Sequence, residues 1–129
     1  MIVRFPGGKR VTAEYKGHCI ETDQSETHGG TGTAPSPFDL FLASLATCSG
    51  YYVLTFCQKR DIPTDDVTLT LSAHRDESGK RVERIDIAVH LPEAFPDKYV
   101  DACIASAAQC AVKKSFVDPP QVILTASKS

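Results

Sequence analysis

Tryptophan is missing from this 129-residue sequence, methionine occurs once, and aromatic residues make up only 8%. A chain this short and this poor in large rings suggests one domain spanning residues 1–129, long enough to bury a real core. No charge of one sign prevails: 14 Lys and Arg against 16 Asp and Glu leave a net charge of −2. That excludes the basic footprint of a nucleic-acid binder, or of a protein held to an anionic membrane surface. The opening "MIVRFPGGKRV" has no apolar run ahead of a cleavage site, so no signal peptide is expected. Internal repeats and low-complexity tracts are absent too.

The five cysteines, Cys19, Cys48, Cys57, Cys103 and Cys110, are odd in number. With no secretion signal, this argues against a disulfide framework and for the reducing cytoplasm. Residues 40–57 are the only candidate membrane segment. They carry no charge, but include four Ser or Thr, one Gly and two Tyr. A buried core helix is the expected reading, because spanning helices need about 20 strongly apolar residues.

Period and punctuation predict the elements. "IVRF" and "RVTAEY" around "PGGK" read as a hairpin, with "HCIET" as a third strand. Residues 23–35, "DQSETHGGTGTAP", read as a flexible polar loop. Ser36, Pro37 and Asp39 form a helix start: a hydroxyl cap, a proline at the first helical position and a carboxylate three residues on. Lys59, Arg60 and Pro63 mark the end, so the helix is expected over about 37–60. "VTLTLSA" and "VERIDIAVHL" alternate apolar and polar residues and predict a second hairpin across "DESGK". A second helix is expected over about 96–116, and a closing strand from Gln121. The order βββ-α-ββ-α-β is an α+β pattern.

From Leu40 to Phe56 the central helix has almost no polar face. A helix apolar all round must be buried all round. Six short strands and one other helix struggle to cover it, which predicts a homodimer with a large apolar interface. Small residues flank Cys48, and Gly50 weakens the helix by about 1 kcal/mol relative to alanine. That points to a packing reason: room for a substrate, or for another helix, beside the thiol.

Cys48 and Cys57 are nine residues apart and face opposite sides of one helix. Cys103 and Cys110, seven apart on a continuous helix, would lie about 10 Å apart, beyond disulfide reach. A reactive pair must therefore join the two helices: Cys48 with Cys110 or with Cys103. His18, Cys19 and His28 match no zinc spacing, so no metal is expected. "GGTGT" (29–33) lacks the lysine and helix start of a phosphate loop. Cys48 has no charged neighbour within two turns of its own helix. Cys110 has Lys113 and Lys114 one turn away, so local charge favours Cys110 as the more ionised thiol.

"PSPFDLFLASLATCSGYYVLTFCQKRDIP", followed later by "AAQCAVKKSFVDPP", resembles the OsmC/Ohr family of osmotically inducible and organic-hydroperoxide-resistance proteins. The resemblance spans roughly residues 1–126. It implies an intertwined homodimer with two buried central helices and a site at the subunit interface. It also implies a peroxidase. The first cysteine, here Cys48, attacks an organic hydroperoxide and becomes a sulfenic acid. The second, here Cys110, condenses with it to a disulfide, which an external dithiol reduces. No cofactor is implied.

The peroxidase branches carry a glutamate directly after the helix-opening proline, where it orients an arginine beside the thiol. Here that position is Phe38. Asp39 lies one residue on, turned about 100° around the helix. Arg10 in the first hairpin is the candidate cation, with Arg4 or Lys9 as substitutes; Phe38, Tyr51 and Tyr52 are the candidate apolar lining. The missing glutamate keeps a second reading open: a non-catalytic dimeric binding protein with an apolar interface pocket.

Overall fold

A computed structural model describes residues 1–128. It is a mixed α+β protein with five strands and three α-helices: β1 (Ile2–Gly7), β2 (Arg10–Tyr15), β3 (His18–Thr22), α1 (Pro37–Gln58), β4 (Thr68–Arg75), β5 (Val82–His90), α2 (Val100–Ala107) and α3 (Ala111–Val117). The chain divides into two compact units, Met1–Ser44 and Leu45 onward, the division falling within α1.

In the first unit the three strands form an antiparallel sheet in the order β1-β2-β3. Lys16 and Gly17 both take positive φ, 49° and 80°, and close the tight turn that pairs Tyr15 with His18. Such a turn twists in the sense of the flanking strands. Every residue of β1 is exposed.

The loop after β3 is not the slack segment its composition suggests. Asp23 is 1% exposed, and its carboxylate gathers the loop around itself. It accepts from the Gln24 amide (2.8 Å), the Thr31 amide and hydroxyl (3.2 and 2.7 Å) and the Thr33 amide and hydroxyl (3.1 and 3.0 Å). Gly30 passes so close to Gln24 that any Cβ would collide with its carbonyl. The α1 start follows expectation. The Ser36 amide and hydroxyl donate to the Asp39 carboxylate (2.8 and 2.7 Å), and the Asp39 amide donates to the Ser36 hydroxyl (3.1 Å).

The second unit holds the rest of α1, the β4–β5 hairpin, α2 and α3. Leu69 pairs with Val89, Leu71 with Ile87 and Ala73 with Ile85, putting the alternating apolar residues on one face as expected. Val53, Phe56, Cys57, Phe95, Cys103 and Ala107 form the buried core. The end of α1 comes two residues early. Arg60 and Ile62 amides both return to the Cys57 carbonyl (2.9 and 3.0 Å), and Asp61 takes φ 53°. Arg60 still serves the negative pole: its guanidinium donates to the Phe56 carbonyl (3.1 Å) and lies 3.8 Å over the Phe56 ring.

Four expectations are corrected. The second helix is not continuous over 96–116. A 3₁₀ turn at Asp97–Tyr99 leads into α2, and the chain breaks at Ala108–Cys110 before α3. Cys110 takes a non-helical backbone (φ −45°, ψ 119°), which lets its own sulfur accept the Lys113 amide and start a new helix. The closing strand is not formed. Among the described residues no strand edge pairs with residues 121–128, and Leu124 is 93% exposed. A strand without a neighbour has nowhere to send its backbone hydrogen bonds. Third, α1 is not buried all round within the chain. Leu45, Ser49, Val53, Phe56 and Cys57 are buried, a single stripe, while Phe38, Tyr51 and Leu54 are exposed. Nor does Gly50 face a close approach within the chain, since a Cβ there would meet Leu69 Cδ1 at an ordinary 3.9 Å.

Donation from the Thr31 hydroxyl and from the Thr33 and Gln24 amides outweighs burial and holds the Asp23 carboxyl well below the usual carboxylate range. The folded chain therefore binds fewer protons there than the unfolded one. Its contribution to stability is complete above an ordinary aspartate pKa of about 4 and is lost as the pH falls further. The urea midpoint of the wild type should drop between pH 5 and pH 3 (a window of roughly one unit either side of that pKa) by more than that of Asp23→Asn. Equal drops in the two proteins would contradict the assignment.

Candidate active site

Four of the five cysteines fall on helices or at a helix start in the second unit, and the fold sorts them into two pairs. Cys57, at the end of α1, is hydrogen-bonded to Cys103 of α2, and both are fully buried. Cys48, two turns earlier in α1 and half-buried, is hydrogen-bonded to Cys110, also fully buried. Of the two partners left open for Cys48 by helix spacing, the structure brings it Cys110. Among the described residues no cysteine is in a disulfide.

The helix break makes this contact. Were α2 to run on, Cys110 would follow the helical path seven residues beyond Cys103. Instead the turn at Ala108–Cys110 aims the sulfur back across α1. There it lies 3.9 Å from the Leu45 carbonyl and within hydrogen-bonding reach of the Cys48 and Ser49 side chains. From its own side it accepts the Lys113 amide at 3.4 Å.

The two pairs differ electrostatically although three of the four sulfurs are equally buried. Burial pushes the Cys57 thiol up, and the Cys103 contact and the Arg60 charge offset only part of this. Cys103 is also pushed up, first by burial and then by Cys57. For Cys110 burial again pushes upward and is the largest single influence. It is outweighed by the Lys113 amide, the Cys48 and Ser49 side chains and the Val112 amide acting together, and the Cys110 thiol lies below its ordinary value. Local sequence charge pointed to the same thiol for a different reason. The donors are backbone amides at the new helix start rather than the ammonium groups of Lys113 and Lys114. Ser49 carried no signal in the sequence beyond its place beside Cys48.

Leu45 and Ser49 also line a cavity of about 430 Å³. Ile85, Ile87 and Val89 of β5 and Ile104 and Ala107 of α2 make its apolar wall; Glu83, Arg84 and Lys113 supply charge. Tyr51 and Tyr52 are not among its lining residues. Tyr51 is exposed and stacks edge-on to half-buried Tyr52 at 5.6 Å, and the Tyr52 carbonyl accepts from the Ser106 hydroxyl at 3.3 Å. Phe38 and Arg10 belong to the first unit. Phe38 is exposed and tilted against Phe41 at 5.3 Å, and Arg10 is exposed at the start of β2, in register with Gly7. Arg4, a substitute for Arg10, is 3.4 Å from Glu14. Among the described residues no three His, Cys, Asp or Glu side chains gather into a metal-binding cluster.

Comparison with known proteins agrees with this architecture. The family model for OsmC-like protein matches residues 30–125. An osmotic-stress-induced and detoxification-response protein, so described, from Psychrobacter arcticus 273-4 is 27% identical. The match covers 88% of this chain and 85% of that one, with a TM-score of 0.76. An organic hydroperoxide resistance protein OsmC from Legionella pneumophila is 20% identical over 89% of this chain and 87% of that one, TM-score 0.59. One from Vibrio cholerae O1 biovar eltor, with captopril bound in one of its active sites, is 21% identical over 91% and 83%, TM-score 0.53. No protein of curated function matches the sequence.

The burial contrast gives a direct outcome. Native protein treated with iodoacetamide and digested for mass spectrometry should carry label on Cys48, while Cys57 and Cys103 take label only after unfolding. Native labelling of Cys57 or Cys103 as fast as Cys48 would refute the pairing and its burial.

Proposed function

The chain belongs to the OsmC-like protein family, and we propose that it is a thiol-dependent peroxidase that reduces organic hydroperoxides through Cys48 and Cys110. One observation carries the reading: two thiols from separate helical elements in hydrogen-bonding contact, one half-buried and one sheltered. The family supports a role in peroxide stress, and two structural relatives are described as organic hydroperoxide resistance proteins.

The half-buried Cys48 sulfur attacks the distal oxygen of the hydroperoxide. The O–O bond breaks, the alkoxide leaves with a proton as an alcohol, and Cys48 becomes a sulfenic acid. Cys110 then attacks that sulfur, forming the disulfide and releasing water. An external dithiol restores both thiols. The contact between the sulfurs makes the second step intramolecular, so over-oxidation of Cys48 competes with a neighbour already in place. The apolar cavity beside Ser49 favours an alkyl or aryl body on the substrate. Arg10 is the proposed supporting cation. The five free thiols accord with a reducing cytoplasmic setting.

We further propose that the working unit is a homodimer. Its support is the apolar surface a single chain leaves open: Ile2, Val3 and Phe5 on β1, Phe38, Tyr51 and Leu54 on α1, and Val122, Ile123 and Leu124 beyond α3. Phe38, Tyr51 and Tyr52 would then line the site from the interface. The same cavity also suits the second reading, an apolar binding protein without turnover, since Phe38 replaces the glutamate of the peroxidase pattern.

One equivalent of cumene hydroperoxide should remove about 2 Da per chain, mapped to Cys48–Cys110, whereas thiols left intact or a slow gain of about 16 Da favour the binder. Cys48→Ser should abolish hydroperoxide consumption; unchanged turnover in that variant excludes the assignment. Sedimentation should give twice the 14.0 kDa chain mass, and a single-chain mass at micromolar concentration would remove the dimer.

A further inference from the structure

A peroxidatic thiol must lose its proton to attack, and α1 offers Cys48 no carboxylate and no cation within two turns. The group that does reach it is the other sulfur. Cys110 contacts Cys48 and Ser49 of α1, accepts the Lys113 amide of α3 at 3.4 Å, and has no exposed surface. The Leu45 carbonyl, 3.9 Å from the same sulfur, stands ready to accept from it when it is protonated. The charged groups on this side are Lys113 of α3 and Glu83 and Arg84 of β5, which line the adjoining cavity.

We propose that Cys110 is the proton acceptor that activates Cys48, in addition to resolving its sulfenic acid; this rests on the peroxidase reading above. In the resting pair the negative charge resides on the Cys110 sulfur, and the Cys48 S–H donates to it. As the Cys48 sulfur attacks the hydroperoxide, its proton passes to Cys110. The O–O bond breaks, Cys48 becomes S–OH and an alkoxide departs. Cys110 gives the proton to the alkoxide, which leaves as the alcohol. The regenerated Cys110 thiolate then attacks the sulfenic sulfur and expels hydroxide. In all, a thiol, a thiolate and a hydroperoxide become a disulfide, an alcohol and a hydroxide, with one negative charge on each side. The two sulfurs lose two electrons and the peroxide bond gains them.

The amide donor at 3.4 Å and the Cys48 and Ser49 side chains around the Cys110 sulfur favour the charge there, and they hold its thiol below the ordinary value. The division of labour also follows from access. The sulfur with the most donors is buried, while the one open to substrate has no base within two turns of its own helix.

The test is the rate at which Cys48 first becomes a sulfenic acid, followed by stopped-flow mixing with cumene hydroperoxide and trapping with dimedone. Cys110→Ser should slow this step by about a hundredfold or more, the usual worth of a positioned base. Cys110→Asp keeps a base and a good helix cap, so it should recover most of that rate yet form no disulfide. A resolving role alone predicts wild-type sulfenic acid formation in Cys110→Ser, and that result would overturn the proposal while leaving the peroxidase reading intact. If neither variant folds, the wild type still decides the matter. Its rate should follow the ionisation of the Cys48–Cys110 pair, read as the ultraviolet thiolate absorbance that the reduced wild type shows and its disulfide form lacks. A rate that follows another ionisation refutes it. Wild-type protein inert to the hydroperoxide would sink the peroxidase reading and this role together.

Discussion

The contact between the Cys110 sulfur and α1 is the constraint on which the candidate site depends. It exists because the chain after α2 breaks at Ala108–Cys110 rather than continuing as helix. The break costs helical hydrogen bonds, and the Cys110 side chain offsets part of that cost by accepting the Lys113 amide. One residue thus ends a turn, starts a helix and delivers a thiol to the Cys48–Ser49 step of α1.

Burial alone does not set the character of these thiols. Cys57, Cys103 and Cys110 are equally inaccessible, at 0% exposure, yet the first two are pushed up and the third down. Removing a thiolate from water always disfavours it. What differs is the supply of donors. Cys57 and Cys103 have each other and the Arg60 charge, whereas Cys110 has two amides and two side chains. The donors around each sulfur therefore oppose burial to different extents, and only at Cys110 do they outweigh it.

The surfaces carry a second lesson. The β4–β5 hairpin buries its alternating face only in part, and β1 is open along its length. Strands of that kind need a cover or a neighbouring edge to be stable. The apolar stretch Val122–Leu124 has the composition of a strand and no partner among the described residues. The dimer proposed above would answer both deficits with the same chain.

Much of the fold was legible in residues a few places apart. The Ser36–Asp39 cap and the alternation in β4 and β5 are local arrangements of backbone donors and side-chain period, and both formed as read. Family kinship was legible as well, through motif spacing. Tertiary structure decided the rest. The Asp23 cage joins donors eight and ten residues away, the helix break trades local hydrogen bonds for a sulfur cap, and the choice of Cys110 over Cys103 for Cys48 depends on how α2 and α3 lie against α1. Local signals report what a segment prefers. Which thiols meet, and which donors surround them, is fixed only when segments distant in the chain are packed together.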